Sequence, residues 1–175
     1  FLTAASFRNA QVVLQAIGGS TNGLIHLTAI ANRTKHRVDL EAFDKLGREV
    51  PVLIDLKPSG EHYMEHFHHA GGLPKLMAQL GDLIDLDART ITGQTLRDVV
   101  ADAEDVPGQD AIRSRSNPIK PEGAMAVLHG NLAPRGAVIK QSAATPQLMT
   151  HEGRAVVFDS VEDMTARMDD TPRGG

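Results

Sequence analysis

The 175-residue sequence contains no cysteine, which excludes disulfide bonds and thiolate metal sites within it. A dense basic cluster is missing too, because the formal net charge is -4 and the nearest approach to such a cluster is the loose group Arg113, Arg115 and Lys120. The composition therefore predicts no nucleic-acid partner, although an anionic small molecule could still bind locally.

Long apolar runs are missing as well. No run reaches the length that crosses a bilayer, and the N-terminus lacks the charged-then-apolar pattern of a signal peptide. Together with the lack of cysteine, this predicts a cytoplasmic protein without membrane contact. Hydrophobic residues make up 41% of the chain, enough for one compact domain or two small ones. The sequence begins at Phe1 rather than Met, so we expect an excerpt of a longer polypeptide.

Helical periodicity dominates the first hundred residues. Apolar residues recur every three to four positions from Thr3 to Ile17, with Thr3 as a possible N-cap. A second helix over 22–34 is apolar on nearly every side and is predicted to be largely buried. Further helices are predicted from Asp39 to about Arg48, from about Glu61, from Pro74 and over 94–103, with a buried strand in "PVLIDL".

The second half of the sequence has a different pattern. Residues 104–123 are polar, contain three prolines and two glycines, and are interpreted as a linker. Short β-like pieces follow in "AMAVLHGNLAP", "GAVIKQSA" and "RAVVFDS", with a hairpin or tight bend in "HGNLAPRGAVIK", before a closing helix at 161–168. The segregated order predicts two domains, 1–103 and 124–175, each possibly truncated.

The stretch "GGSTN", residues 18–22, lies between the first two predicted helices. Gly18 or Gly19 can close the first helix, and Ser20 or Thr21 can cap the second. The same elements can cradle a phosphate or carboxylate at a helix N-terminus. No lysine or third glycine completes a known nucleotide fingerprint. The local pattern therefore fits two interpretations: the loop only ends one helix and starts the next, or it also contacts a ligand.

Histidines are concentrated in "EHYMEHFHHAGG". On one helix, His62, His66 and His69 would share a face and could bind a metal. No carboxylate or cysteine is placed to complete a tetrahedral site, so a solvated helix face is the favoured interpretation.

Two further polar turns hold candidate site residues. Lys57 and Ser59 in "DLKPSG" follow a predicted strand, where open α/β sheets place ligands, but an exposed Pro-Ser-Gly turn gives the same pattern. Asn117 in "SNPIKPEG" lies near Lys120 and Glu122, which either converge or merely solvate a proline-stiffened connection.

Taken in order, the loops resemble one family. "AIGGSTNGLIHLTAIA", "VPVLIDLKPSG", "AGGLPKLM", "TITGQTL", "NPIKP" and "LHGNLAPRGAVIK" resemble successive segments of the dihydroxy-acid and sugar-acid dehydratases, the IlvD/Edd family. The resemblance runs across nearly the whole chain.

The resemblance implies an α/β fold: the helix-rich end of an N-terminal α/β domain, followed by the start of a C-terminal β-barrel domain. It also implies a hydro-lyase that removes water from a 2,3-dihydroxy carboxylate and gives a 2-keto acid through an enol. In this family a cysteine-held iron–sulfur cluster acts on the leaving hydroxyl, Mg²⁺ holds the substrate, and a serine takes the proton from carbon 2. A homodimer or tetramer is the usual assembly.

The family's cluster cysteines, magnesium ligands and catalytic serine belong to segments outside residues 1–175. The resemblance therefore places no catalytic residue and no metal ligand here, and it implies that this fragment alone is inactive. The candidates for substrate binding or for shaping the active site are Ser20, Thr21, Asn22, Lys57, Ser59 and Asn117.

Three readings of function follow. "IKQSAATPQLMTHEGRAVVFDS" looks more like the sugar-acid branch, whose substrates are aldonates such as arabonate and xylonate, and the product would be a 2-keto-3-deoxy acid. The first alternative is dihydroxy-acid dehydratase of branched-chain amino-acid biosynthesis. The second is a non-catalytic structural or interaction module.

Overall fold

The computed structural model describes residues 1–169, and helices dominate this range. The helices are α1 Ala4–Ala16, α2 Thr21–Ala31, α3 Leu40–Glu49, α4 Met64–His69, α5 Gly72–Leu80, α6 Leu96–Ala101 and α7 Val161–Arg167; the strands are β1 Ala126–Leu128 and β2 Ala137–Ile139. Short 3₁₀ turns lie at Gly81–Leu83, Gln141–Ala143 and Pro146–Leu148. Contacts divide the chain into a first unit, Phe1–Ala143, and a second that starts at Ala144.

The first helix, α1, begins and ends as its sequence predicts. Thr3 Oγ1 accepts a hydrogen bond from the Ser6 N–H, and Ser6 Oγ accepts one from the Thr3 N–H, which forms a capping box. Gly18 follows the helix with φ +66°, a conformation that glycine adopts without strain. The Gly19 N–H donates to the Leu14 carbonyl at 3.0 Å and closes the last turn.

The second helix, α2, has a capped start but an exposed face. Ser20 is its N-cap, as predicted. Leu24 and Ala31 are buried, whereas Ile25 is 63% exposed and Ile30 50% exposed. The prediction of a largely buried helix is therefore wrong for this chain, because α2 packs against α1 along one side and the described residues leave its other apolar side uncovered.

The third helix, α3, carries a small second core. The Asp39 carboxylate caps the helix by accepting from the Ala42 N–H at 2.8 Å. Phe43 is fully buried and packs with Leu24, Met125 and Val127, so this core joins α2, α3 and β1. The helix predicted from Asp39 to about Arg48 is confirmed.

The main core lies between α1, α5 and the residues after α3. Its buried members are Val12, Ala16, Val50, Leu53, Ile54, Phe67, Ala70, Leu76, Met77, Leu80, Ile84, Ala111 and Ile112. Burial of this much aliphatic surface is the principal stabilising contribution to the unit.

The predicted strand in "PVLIDL" is an extended buried segment without a continuous ladder. Val52 and Ile54 form single antiparallel bridges to Lys120 and Ile112, and Leu56 forms a parallel bridge to His62. The partners come from separate segments, so each supplies one bridge and no regular sheet develops. The apolar run is therefore correctly predicted as buried and extended, but not as a regular strand.

Residues 110–120 run alongside this extended segment. The Arg113 N–H donates to the Leu53 carbonyl at 2.8 Å, and the Ile119 N–H donates to the Val52 carbonyl at 2.9 Å. Ala111 and Ile112 are buried in the main core. The segment predicted as a linker is thus packed along part of its length, while the domain limits 1–103, 104–123 and 124–175 stay a prediction.

The later helices begin near their predicted positions. The helix α4 starts at Met64 rather than near Glu61, and α5 starts at Gly72, two residues before the predicted Pro74. The helix α6 is capped by Thr95, whose Oγ1 accepts from the Asp98 N–H at 3.2 Å.

No helix among residues 1–169 is long and apolar enough to cross a membrane.

The predicted hairpin is present. Strands β1 and β2 pair antiparallel, with Val127 opposite Val138. Together with the helices, this two-stranded sheet agrees with an α/β fragment; the described residues do not display a β-barrel.

In residues 144–169, the described part of the second unit, the regular elements are one 3₁₀ turn and one helix. The predicted closing helix is confirmed as α7, which Ser160 caps by accepting from the Asp163 N–H at 3.1 Å. The predicted strand in "RAVVFDS", residues 154–160, is wrong, because no partner strand pairs with it in the described part of the chain.

Candidate functional site

A narrow cleft of about 30 Å³ lies where four segments of the first unit meet. Its walls come from the end of α1, the extended segment and the turn after it, residues 119–120, and the turn after β2. The lining residues are Ile17, Gly18, Val52, Ile54, Asp55, Leu56, Ser59, Gly60, Ile119, Lys120 and Ser142. The cleft thus combines an apolar floor with a few polar groups, a lining typical of small-molecule sites, and its own volume is about that of one water molecule.

The floor is rigid because the backbone of the extended segment is hydrogen-bonded on both sides. The Leu53 N–H donates to the Ala16 carbonyl at 2.9 Å, and the Val52 N–H donates to the Lys120 carbonyl at 3.0 Å. Val52 and Ile54 are 4% and 3% exposed. A ligand in the cleft would therefore meet a surface that is already formed.

The turn between Asp55 and His62 forms one wall of the cleft. The His62 N–H donates to the Asp55 carbonyl at 3.1 Å, and the Glu61 N–H donates to Asp55 Oδ1 at 3.2 Å. Gly60 fits between them because a Cβ there would overlap the Asp55 carboxylate and lie 2.7 Å from the Leu56 nitrogen. This closed turn holds Ser59, a predicted site residue, in the cleft lining.

Lys57 belongs to the same turn but is used differently. Its peptide bond to Pro58 is cis. The Lys57 Nζ donates to the Tyr63 hydroxyl at 2.8 Å and lies 4.0 Å from the centre of the Tyr63 ring. The side chain is therefore engaged by a neighbour on the exposed surface, and Lys57 is not among the residues that line the cleft.

The "GGSTN" loop reaches the cleft at its first residue. Gly18 lines the cleft, and Ser20 Oγ accepts from the Asn22 N–H at 3.2 Å as the cap of α2. Thr21 and Asn22 form the first turn of that helix, with Asn22 exposed. The role of the loop in ending α1 and starting α2 is confirmed, whereas contact of these residues with a ligand stays a prediction.

Asn117 is exposed and is not among the residues that line the cleft. Its N–H donates to the Ser114 carbonyl at 3.0 Å, which closes a turn just before Pro118. Of the six predicted candidates, Ser59 is the one that lines the cleft as described here.

Ser142 lines the cleft and Lys140 contacts its Gly18 wall, and the sequence patterns single out neither residue. The Lys120 Nζ lies 3.4 Å from the Ser142 carbonyl, and Ser142 Oγ is buried without a hydrogen-bond partner among the described residues. Lys140 donates from Nζ to the Gly18 carbonyl at 2.7 Å. Lys140 and Ser142 follow β2 directly, but a lysine and a serine after a short strand give no local signal of a distant partner.

The histidines do not form the shared helix face that was the less favoured, metal-binding interpretation of their spacing. Because α4 begins at Met64, His62 lies outside the helix, and its Nε2 is 3.0 Å from Asp110 Oδ1. His66 Nδ1 accepts from the Tyr63 N–H at 3.1 Å. Within residues 1–169, no three histidine or carboxylate side chains lie close enough together to hold a metal ion.

The residues of this chain do not fit the cofactors that the resemblance implies. A cysteine-ligated iron–sulfur cluster needs thiolates, and the whole sequence has none. The described carboxylates and histidines do not assemble a magnesium site either.

Two segments of the chain match family descriptions of known proteins. Residues 1–99 match the family description "Dihydroxy-acid/6-phosphogluconate dehydratase N-terminal", and residues 110–173 match "Dihydroxy-acid/6-phosphogluconate dehydratase C-terminal". The cleft is lined by residues from both matched ranges.

Curated relatives carry two kinds of name. The chain is 44% identical to an L-arabinonate dehydratase of Rhizobium leguminosarum bv. trifolii over 171 residues, and 45% identical to an L-arabonate dehydratase of Azospirillum brasilense over 172 residues; each match covers 97% of this chain and 29% of the relative. It is 47% identical to a dihydroxy-acid dehydratase of Pelobacter propionicus over 161 residues, which is 92% of this chain and 29% of that relative.

The chain thus spans 29% of the length of these three relatives. The two family matches follow one another along the sequence in the same order as their descriptions, N-terminal and then C-terminal. The chain belongs to the dihydroxy-acid/6-phosphogluconate dehydratase family.

Proposed function

We propose that this chain is part of a hydro-lyase, here called the parent protein, that dehydrates an aldonic acid such as arabonate or xylonate to a 2-keto-3-deoxy acid. The reaction class is supported by the 44–47% identity to an L-arabinonate dehydratase, an L-arabonate dehydratase and a dihydroxy-acid dehydratase. The choice of an aldonate is supported by the resemblance of "IKQSAATPQLMTHEGRAVVFDS" to the sugar-acid branch. The same reaction class applies to the dihydroxy-acid dehydratases, so the chemistry is common to both groups of relatives and the substrate distinguishes them.

The reaction removes a proton from carbon 2 and hydroxide from carbon 3 of a 2,3-dihydroxy carboxylate. The enol that results takes a proton at carbon 3 and becomes the 2-keto acid. An iron–sulfur cluster and Mg²⁺ held by other segments of the parent protein would supply the Lewis acid for this chemistry. We also propose that the parent protein continues into a β-barrel domain and assembles as a homodimer or tetramer.

The contribution of this chain is one wall of the substrate site. The cleft offers the Lys120 ammonium group for the substrate carboxylate and the Ser59 hydroxyl for a substrate hydroxyl. The Asp55 carboxylate also lines the cleft, but it already accepts from the Glu61 N–H and lies 4.0 Å from His62 Nε2. A hydroxy acid would thus meet one ammonium group, one carboxylate, the hydroxyls of Ser59 and Ser142, and an apolar floor.

Turnover by the parent protein tests the proposal. The full-length protein is purified and reconstituted without oxygen, and keto-acid formation is measured with arabonate, xylonate and 2,3-dihydroxyisovalerate. We expect kcat/KM for one of the two aldonates to exceed that for dihydroxyisovalerate by about tenfold or more. Turnover of dihydroxyisovalerate alone would overturn the sugar-acid assignment, and the absence of turnover with all three would favour the non-catalytic module.

A further inference from the structure

The peptide group between Gly18 and Gly19 is fixed at both of its polar atoms. The Gly19 N–H donates to the Leu14 carbonyl at 3.0 Å, and the Gly18 carbonyl accepts from Lys140 Nζ at 2.7 Å. The first bond is local to α1. The second bond comes from a residue 122 positions away, directly after β2.

This peptide group sets the direction in which the chain leaves α1. A Cβ at Gly19 would lie 2.9 Å from the Leu14 carbonyl oxygen, so the backbone here is in close contact with the helix. The next residue, Ser20, caps α2. Rotation of the peptide group would therefore move both the Gly18 wall of the cleft and the first turn of α2.

The two residues that follow Lys140 are hydrogen-bonded to the backbone before β1. The neighbouring Gln141 donates from Nε2 to the Gly123 carbonyl at 2.8 Å, and the Ser142 N–H donates to the Ala124 carbonyl at 3.2 Å. Lys140 is half-buried, and its positive charge lies near the C-terminal end of α1, where a cation is favoured by the helix dipole.

From this geometry we infer that Lys140 is a positioning residue for the substrate cleft: through the Gly18 carbonyl it holds the "GGSTN" loop in the conformation that receives the hydroxy acid. The inference rests on the proposed function for its substrate, but the contact between Lys140 and the loop does not. Removal of the ammonium group would change none of the residues that line the cleft, but it would remove the bond to the Gly18 carbonyl and allow the loop to reorient.

The test uses the full-length parent protein with Lys140→Met, Lys140→Arg and the control Lys35→Met. Lys35 is an exposed lysine in the turn after α2, so its replacement removes the same charge elsewhere. Hydrogen exchange of peptides covering residues 15–24 is measured beside KM and kcat for the substrate found above.

We expect Lys140→Met to speed exchange of the 15–24 peptides by about tenfold and to raise KM by about fivefold or more, with kcat within about twofold of wild type. Lys140→Arg should restore both values because arginine retains donors and charge, and Lys35→Met should match wild type.

Faster exchange with an unchanged KM would overturn the positioning role, and so would unchanged exchange. If the wild-type protein turns over no hydroxy acid, the proposed function fails, and the exchange measurement still decides whether Lys140 holds the loop.

Discussion

Gln15 pairs with Met125 through both ends of its side-chain amide. Gln15 Oε1 accepts from the Met125 N–H at 2.9 Å, and Gln15 Nε2 donates to the Met125 carbonyl at 3.0 Å. Gln15 is fully buried, and the side-chain amide takes the place of a neighbouring strand for the residue that precedes β1. A glycine on each side, Gly47 and Gly123, leaves room for it, since a Cβ at either position would lie within 2.8 Å of the amide.

Replacement of this amide tests how much the pairing stabilises the fold. Gln15→Leu keeps most of the volume but leaves the Met125 N–H and carbonyl buried without partners. We expect the free energy of unfolding to fall by about 2 to 6 kcal/mol, because each of the two unpaired buried groups costs about 1 to 3 kcal/mol. The measurement is the urea midpoint of the parent protein.

Gln11→Leu on the same helix is the matched control. Gln11 Nε2 donates to the Phe7 carbonyl, four residues earlier in α1, so the bond is local and its acceptor also lies in the helical ladder. A loss of less than about 1 kcal/mol is expected there. Equal losses for the two variants would show that the bond to Met125 has no special importance.

Gly60 provides a second test, directed at the turn that holds Ser59. Gly60→Ala introduces a Cβ that overlaps the Asp55 carboxylate and presses on the backbone of Leu56, so the turn must open. We expect a loss of about 1 to 3 kcal/mol in stability and a higher KM, because Ser59 and Asp55 move together. Thermal unfolding and steady-state kinetics measure the two effects.

Gly130→Ala is the control for this variant, since no heavy atom lies within 4 Å of a Cβ at that position. It should unfold within a degree or so of wild type. A Gly60→Ala protein that also unfolds like wild type would mean that the turn adapts without cost.

The acid dependence of stability can be followed at Asp44. Burial acts to raise the pKa of Asp44, but hydrogen bonds from the Val127 N–H and the Arg48 guanidinium outweigh it and lower the pKa below its ordinary value. A lowered pKa means that the carboxylate stabilises the folded state above the unfolded pKa of about 4, and that this contribution is lost as pH falls through the lower folded value.

Asp44→Asn should keep the bond to the Val127 N–H and lose the charge. We expect the variant to be less stable by about 1 kcal/mol at neutral pH and its deficit to shrink as the pH falls toward about 3. Urea midpoints across this range measure the difference. Arg48→Met, which leaves the Val127 bond to the carboxylate, should have a smaller deficit; a constant deficit for Asp44→Asn at every pH would contradict the assignment.

Lys120 is the cleft residue whose charge the proposed substrate would use. Lys120→Met in the parent protein should raise KM for the hydroxy acid by about tenfold, with kcat within about threefold, because binding of the carboxylate is affected more than the chemistry. Unchanged KM would remove Lys120 from the substrate site, whereas Ser59→Ala reports separately on the hydroxyl contact.

The sequence predicts the parts of the fold that depend on neighbours along the chain. Thr3, Ser20 and Asp39 are recognisable as helix caps because the bonds they accept lie two or three residues away. The glycine pair after α1 and the hairpin after Ala126 follow from the same local rules.

The cleft itself depends on contacts that no local pattern encodes. Lys140 reaches a carbonyl 122 residues away, and Gln15 reaches a residue 110 away. Lys57 and Ser59 are two positions apart and gave equal reasons to be site residues, yet the nearby Tyr63 ring engages the lysine while the closed turn directs the serine to the cleft. Such outcomes are decided by packing in three dimensions rather than by spacing.

The Gln15–Met125 pairing bears on where this protein can be divided into parts. Similarity to relatives suggests a cut near residue 100, between the N-terminal and C-terminal matches. That cut does not follow the hydrogen bonds of the fold. Gln15, Leu53 and Gly18 each have a hydrogen-bond partner beyond residue 100. A chain cut at residue 100 would separate these hydrogen-bond partners, whereas a cut after Ala143 would keep every one of them in the same piece.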